Sequence, residues 1–497
     1  MNPTAVASPD EKSMYSGQRT STIVHSRSHV RVSPKYGGQF REGDIMRIEL
    51  PSVGSLDPST FAISMALSID DGTGQPIPEY AHSRHYDFLQ NPAFEGGDQL
   101  LTKPCVSLKN AGIASCFHRI RILSGSTVLE DLLDYPTLYR LATEMTSSSD
   151  HRDHSHLLLE GVGDAKNEDH KRIRRSNNSG KIFVTRLLSG ILQSGKYLPL
   201  HLMGALTIEF FMARNTEALL SSVKADGTAE YPAAKYEISD VFAECQFVKF
   251  SDDYEQSMLQ HVQTNGLQIH FSSFDQHSRN LNSFSSGNVD VQFSQRSTSL
   301  KGCLTVFRDA DAINDIRQEI SFPAHHVVQW QYRVGSTYYP SQPVEIKQYS
   351  GALSFMEAQK VWGSFGSVQD SGTISADNYY RKEIPKDNGK DHSTNEQEID
   401  YECALPNHFN ISMSFERSPG QLSGLNSVSQ NADVELRMKF DGTQWQEAKV
   451  RRQETVNGQR ANVMFHLAQP TAVRLFAFMF FDSILHLERV GVVSISK

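Results

Sequence analysis

The cleanest signal in the chain runs from Phe61 to Ile69. Phe61, Ile63, Met65, Leu67 and Ile69 fall on one face, and Ala62, Ser64, Ala66 and Ser68 on the other. That two-residue period is the mark of a β-strand with one buried face. Residues 44–50 repeat it, with Met46, Ile48 and Leu50 against Arg47 and Glu49. Asp70-Asp71-Gly72 supplies a turn after the second of these runs. Residues 106–108, 115–123, 183–188, 206–212 and 238–250 read as further strands. Between them the period changes. Leu129, Leu132, Leu133, Leu138 and Leu141 recur at helical spacing with Pro136 among them, which predicts two short helices joined at Tyr135-Pro136. Residues 147–181 are polar and charged and are expected to form a long surface loop. Residues 1–40 show no period and read as a solvated tail or an arm that orders in an assembly.

At the midpoint, a strand-like run over 238–250 passes into the charged segment 251–261, and after it the same grammar begins again. Leu267, Ile269 and Phe271 alternate with polar residues, as do Val289, Val291 and Phe293, and Val434, Leu436, Met438 and Phe440. Strands are also expected over 302–307, 327–334, 411–415, 461–467, 473–481, 484–487 and 491–495. One helix is expected over 351–363, from Leu353, Met356, Ala358 and Val361 with Gly363 as its stop. A second long polar insertion, 366–402, follows that helix as 147–181 follows the first. Each half reads as several short strands, a helix, a long loop and more strands. The expected fold class is all-β: two tandem β-sandwiches with short helices and long surface loops. The division is 1–40 as an N-terminal arm, 41–250 as the first sandwich, 251–266 as linker and 267–497 as the second.

Composition sharpens this picture only a little. At 497 residues the chain is too long for one core. A net charge of −9 argues against a global nucleic-acid-binding surface, although Arg19, Arg27, Arg31 and Lys35 make the N-terminal segment modestly basic. The five cysteines (Cys105, Cys116, Cys245, Cys303 and Cys403) form no CxxC pair and read as small buried hydrophobes. The opening stretch is polar throughout, which predicts no secretory leader and synthesis in cytosol or nucleus. The most apolar run, 473–481, is too short for a membrane span and carries Arg474.

Chemistry is sparse. No GxGxxG after a strand, GxxxxGK[ST], HExxH or GxSxG occurs. His151-Arg152-Asp153-His154-Ser155-His156 is the best metal-like cluster, yet it sits in a Ser-rich loop and reads as solvated. His325 and His326 are neighbours just before a strand, where adjacent side chains face opposite ways. Lys171-Arg172-Ile173-Arg174-Arg175 is a basic run offset by Asp164, Glu168 and Asp169. Asp70-Asp71 and Asp252-Asp253 with Glu255 read as turn and linker residues. No nucleophile is paired with a base, so no enzyme, cofactor or metal is expected.

Four stretches then carry a resemblance: ISDVFAECQFVKFSDDYEQSMLQHVQT at 238–264; VQWQYRVGSTYYPSQP at 328–343 with the helix after it; FNISMSFERSPGQLSGLNSVSQNADVELRMKF at 409–440, with its Ser423-Gly424-Leu425-Asn426-Ser427 turn; and AVRLFAFMFFDSILHLERVGVVSISK from Ala472. Their order and spacing over 40–497 resemble the double jelly-roll major capsid proteins of eukaryotic double-stranded DNA viruses. That lineage includes polinton-like viruses, virophages and the nucleocytoplasmic large DNA viruses, and the chain length suits the polinton-like or virophage branch. The resemblance implies two eight-stranded jelly rolls per chain and a homotrimer of pseudo-sixfold outline as the tile of an icosahedral virion. It implies contacts with neighbouring capsomers, penton proteins and minor capsid proteins, and assembly in host cytoplasm or nucleus. The 147–181 and 366–402 loops would face outward. Arg19, Arg27, Arg31 and Lys35 would line the inner face, in weak contact with genome or an internal membrane. Two other classes stay open at this point: a glycan- or receptor-binding β-sandwich, and a cupin-like metal enzyme, which needs two His and a carboxylate on adjacent strands.

Overall fold

A computed structural model describes residues 24–77, 106–148, 151–163, 180–221, 228–281, 287–325, 327–346, 351–362, 374, 379, 408–416, 424–428, 433–440, 449–456, 459–466 and 472–497. Eight strands form the main paths of the two large sheets of the first half, Val24–Val32 (β1), Ile45–Leu50 (β2), Ser55–Asp70 (β3), Phe117–Ser124 (β4), Thr127–Leu133 (β5), Lys181–Thr185 (β6), Leu206–Met212 (β7) and Lys235–Phe250 (β8), and the two-residue strands Gln39–Phe40 and Leu198–Pro199 pair onto β8 and β3. A helix, Tyr135–Thr146 (α1), follows β5, and Asp252–Asn265 (α2) leads into the second half. There the strands of the main sheets are Leu267–Leu281 (β9), Gly287–Phe293 (β10), Leu300–Asp309 (β11), Val327–Val334 (β12), Thr337–Glu345 (β13), Ile411–Ser414 (β14), Val434–Phe440 (β15) and Val473–Arg489 (β16), with Val492–Ser496 paired on β16 and a separate hairpin of Lys449–Val456 with Gln459–His466. The helix Ala352–Val361 (α3) lies between β13 and β14.

The sheet order repeats. In the first half it is β1-β8-β3-β6 and β2-β7-β4-β5, and in the second β9-β16-β11-β14 and β10-β15-β12-β13. Numbered within each half, both read 1-8-3-6 and 2-7-4-5, and every pairing is antiparallel. The molecule is therefore a tandem of jelly-roll-like β-sandwiches. Alternation explains the two layers. Met46, Ile48 and Leu50 of β2 meet Ile63, Met65 and Leu67 of β3 in one buried cluster, while Arg47 and Glu49 face out.

The largest sheet of the second half is buried on both faces. Val473, Leu475, Ala477, Met479 and Phe481 fill its own core, and Phe476 and Phe478 join the core cluster that extends into the first half. This accounts for an unbroken apolar run where alternation would be expected. Arg474, within that run, lies over the Phe476 ring at 5.1 Å and donates to Ser278. Residues 473–489 are one strand rather than two. The apparent break at Asp482-Ser483 is accommodated because the Asp482 carboxylate accepts from Ser272 (3.0 Å) and Ser299 (2.8 Å).

Further expectations are corrected. Residues 127–133 are a strand, not a helix. Gly125 at φ +58° turns a tight hairpin out of β4, and the pairing it sets up outweighs a leucine spacing compatible with either period. Pro136 then stands in the first turn of α1, where its missing N–H is harmless. Residues 24–32 are not part of an arm: β1 pairs along β8 from Val24↔Phe250 to Val32↔Ala243, with Val30 and Val32 packed on the core. Residues 252–265 are a helix. Asp252, Asp253 and Glu255 sit in its positively polarised first turn, and Tyr254, Met258 and Val262 fall at four-residue spacing, with Val262 fully buried. Within 147–181, residues 151–160 are helical, and most of the rest lies outside the described residues, as do Lys171–Arg175.

Candidate assembly surfaces and the seam between the sandwiches

The seam between the two halves is built from buried polar groups as well as apolar ones. Glu130, on β5, is 3% exposed and accepts four hydrogen bonds. They come from the Ser189 hydroxyl, the Gly190 N–H (2.9 Å), the Ile191 N–H (3.2 Å) and, across the seam, the Ser273 hydroxyl of β9 (2.8 Å). Burial raises the Glu130 carboxyl above its ordinary pKa, although these donors pull the other way. Gly190 has no room for a side chain: a Cβ there would lie 1.5 Å from the Ser272 carbonyl oxygen. Two backbones thus meet at a position only glycine tolerates.

Further along, the loop after the short strand 106–108 grips the second half. The Asn110 side chain donates to the Ile320 carbonyl (2.9 Å) and accepts from its N–H (3.1 Å), a closed pair of bonds. Lys109 donates to the Asp315 carbonyl (3.0 Å), and desolvation, reinforced by Arg308, lowers its ammonium to about 7. Arg308 of β11 donates to Thr137 of α1 (3.0 Å). Glu144 of α1 pairs with Arg140 on its own helix and lies 2.7 Å from His408 of the second half, all three within 1% of full burial. α1 is therefore buried almost all round, with one flank on each half.

The outward sheet faces carry a repeated motif. Glu209 of β7 stands opposite Arg121 of β4 and accepts from it (2.9 Å) and from Arg47, while Phe211 lies beneath Arg119 and Arg121 at 5.2 and 5.6 Å. In the second sandwich Glu435 of β15 stands opposite Arg333 of β12 and binds it (3.4 Å) and Arg437 (2.8 Å). Tyr338 lies beneath those two arginines at 5.8 and 5.5 Å. No sequence motif announces this repeat, because the residues sit on three strands in each half.

Of the basic positions, Arg19 lies outside the described residues. Arg27 and Arg31 are exposed on β1. Arg31 reaches Glu244 (3.6 Å) and covers the Phe242 ring at 4.8 Å, and Lys35 pairs with Glu49. Among the three described, Arg31 and Lys35 have acidic partners within the first sandwich. The His151 and His156 rings meet edge-on at 4.3 Å, and burial together with His151 lowers His156 to about 4. Among the described residues no three His, Cys, Asp or Glu side chains converge as a metal site. His325 contacts Asp309 (3.1 Å), and His326 is outside the described residues. Asp70 and Asp71 accept from the N–H groups of Gly72 and Thr73, as turn residues do. Cys116, Cys245 and Cys303 are buried free thiols, and burial pushes Cys245 and Cys303 up to about 11. Cys105 and Cys403 lie outside the described residues. Among those described, no helix is long and apolar enough to cross a membrane.

Neither a protein-family description nor a curated protein sequence matches the chain. Solved structures do. VP54 of PBCV-1, fitted into a cryo-EM reconstruction of the virophage Sputnik, superposes with a TM-score of 0.57 at 8% identity, over 97% of this chain and 98% of that one. The Faustovirus major capsid protein gives 0.54 at 7% identity over 95% and 92%. The mavirus major capsid protein gives 0.51 at 9% identity over 100% and 95%. The fold is the one these capsid proteins share. The match spans both sandwiches and the seam, so the tandem arrangement itself is common to them, at an identity where the side chains have been almost wholly replaced.

Proposed function

We propose that the chain is a structural major capsid protein, with no catalytic role, whose copies tile an icosahedral virion. The observation that carries this reading is the duplicated 1-8-3-6 and 2-7-4-5 sheet order, two jelly rolls joined by hydrogen bonds across a polar seam. The near full-length likeness to capsid proteins supports it. In this reading residues 24–250 form the first jelly roll, α2 the connector and 267–497 the second. Three copies make a tile of six similar lobes, in contact with neighbouring tiles and with penton and minor capsid proteins. The segment before Val24, with Arg19, is assigned to the shell interior, close to genome or an internal membrane. Of the 366–402 insertion residues 374 and 379 are described, with Tyr379 buried against Phe355 and Phe409; the rest of the insertion, outside the described residues, is assigned to the outer surface.

Physical needs of a shell match the structure. A tile bearing lateral load needs its lobes fixed relative to each other, and the seam fixes them through hydrogen bonds whose loss leaves buried donors unpaired. Edge strands need protection from random pairing, and β13 carries Pro340 and Pro343 on such an edge. Native mass spectrometry of the purified chain across concentration tests the reading. Trimers are expected, and a monomer at every concentration, ionic strength and pH overturns it.

A further inference from the structure

We propose that the hairpin of Lys449–Val456 with Gln459–His466 is an attachment element whose basic face binds a sulfated polysaccharide outside the shell. This rests on the capsid reading, which sets the end of the sandwich that carries the hairpin outward.

The sequence encodes the hairpin directly. Two alternating runs flank Asn457-Gly458, a dipeptide suited to a two-residue turn. The strands pair antiparallel from Lys449↔His466 to Val456↔Gln459 and form a sheet of their own, apart from those of the sandwich. The chain leaves β15 at Phe440, which pairs with Val327 at the start of β12, and enters β16 at Val473, which pairs with Leu281 at the end of β9. β13 finishes at the same end, where Glu345 pairs with Gln329, and the connection that contains the 366–402 insertion starts there. Hairpin and insertion therefore issue from one end of the second sandwich, the end assigned to the outer surface.

Register divides the ribbon into two faces, because directly opposite residues share a face and neighbours along a strand do not. Lys449, Arg451, Gln453 and Thr455 share one face with Arg460, Asn462, Met464 and His466. Val450, Arg452, Glu454 and Val456 share the other with Gln459, Ala461, Val463 and Phe465. The second face holds the apolar residues, the content a two-stranded ribbon needs for stability. The first holds Lys449, Arg451, Arg460 and His466 and no carboxylate. Lys449, Arg451, Arg452 and Arg460 against Glu454 give the ribbon a charge of +3 in a chain of net −9.

The basic positions run along the ribbon. Lys449 and Arg451 are about 6.6 Å apart along their strand, and Arg460, opposite Thr455, is about 20 Å from Lys449. A row of that length suits a chain of repeated anions rather than one small ion. Sulfate esters stay charged throughout the pH range of a folded protein, and their oxygens accept the paired N–H groups of a guanidinium. An outward end faces away from the genome, which favours a polysaccharide over a nucleic acid.

The test uses the full chain. Arg451→Gln/Arg460→Gln alters the basic face, and Arg279→Gln/Lys439→Gln, at exposed positions near the same end of the sandwich, is the control of equal charge change. Arg451→Lys/Arg460→Lys keeps the charge and removes the guanidinium forks. Circular dichroism and a melt establish that each variant folds, and native mass spectrometry gives its oligomer. Surface plasmon resonance then compares immobilised heparin, desulfated heparin and double-stranded DNA at about 0.15 M salt. Wild type is expected to bind heparin in preference to both other probes. The glutamine pair on the ribbon is expected to lose affinity about tenfold or more, the control pair less than about twofold, and the lysine pair an intermediate amount. Wild-type trimers that ignore heparin, desulfated heparin or DNA bound as tightly as heparin, or a control pair that loses as much as the ribbon pair, each overturns the proposal and leaves the capsid reading standing. A wild type that never trimerises overturns the capsid reading and the outward assignment with it.

Discussion

Truncating Glu130 to alanine separates the two sandwiches where they are held most specifically. Four donors lose their acceptor. The hydroxyls of Ser189 and Ser273 can turn elsewhere, but the Gly190 and Ile191 N–H groups are fixed by the backbone. Each buried unpaired donor costs about 1–3 kcal/mol, so the gross loss is about 2–6 kcal/mol. Removing a carboxylate from a desolvated position returns part of this, which leaves a net loss of about 1–4 kcal/mol. Glu130→Gln keeps the volume and one acceptor oxygen and should lose less. Acidity separates the two further. Because the folded carboxyl has a raised pKa, it takes up a proton before the unfolded one does as pH falls. Its contribution is greatest below the ordinary value of 4.5 and is lost as pH rises through the folded pKa. Wild type should therefore gain on Glu130→Gln as pH falls from 7.5 toward 5. Urea titrations give the magnitudes, and hydrogen exchange at residues 189–191 and along β9 gives the location. A loss below about 0.5 kcal/mol for the alanine variant, within the range of an ordinary surface change, would refute the account of the seam. So would unchanged exchange at residues 190 and 191.

Three more changes probe the same framework. Gly190→Val forces a side chain into the Ser272 backbone and should lower the melting temperature more than Glu130→Ala does, read by calorimetry. Lys109→Met should flatten a pH dependence. The wild-type lysine, lowered to about 7 when folded against 10.5 ordinarily, makes stability rise as pH climbs between those values, and melts at pH 6.5 and 9.5 compare the two slopes. Trp330→Ala empties a site 1% exposed and should cost about 3–5 kcal/mol in urea titrations. Trp330→Phe, which loses mainly the Nε1–H bond to Ser354, should cost about 1 kcal/mol.

Much of the fold was legible in the chain because one-sided strands announce themselves. Residues 206–212 and 434–440 have the predicted bounds, and the division of faces in β15 is as alternation implies, whereas in β3 Ser64 and Ala66 on the second face are buried too. What escaped follows from physics that alternation does not carry. β1 is an edge strand with much of its surface exposed, so its sequence, Val-His-Ser-Arg-Ser-His-Val-Arg-Val, looks like a polar tail. β13 holds Tyr338-Tyr339-Pro340 and a second proline, signs usually read against a strand, and both are tolerated at an edge. α2 had a readable start, acidic residues directly after Ser251, but its apolar stripe is thin. The seam was the least legible part. Glu130, Lys109, Asn110 and Arg308 are ordinary surface residue types, and only the packing of a second sandwich against them makes them internal. The inner-face assignment of Arg19, Arg27, Arg31 and Lys35 comes from the resemblance and stays a proposal; the structure adds that Arg27 and Arg31 are exposed on β1 and that Lys35 pairs with Glu49.

The central proposal is that three copies of this chain make a shell tile of six sandwiches. Single-particle imaging of the untagged full-length protein tests it most directly. The account predicts particles of hexagonal outline with six lobes around a threefold axis. A population of isolated two-lobed particles, unchanged by concentration and salt, would contradict it.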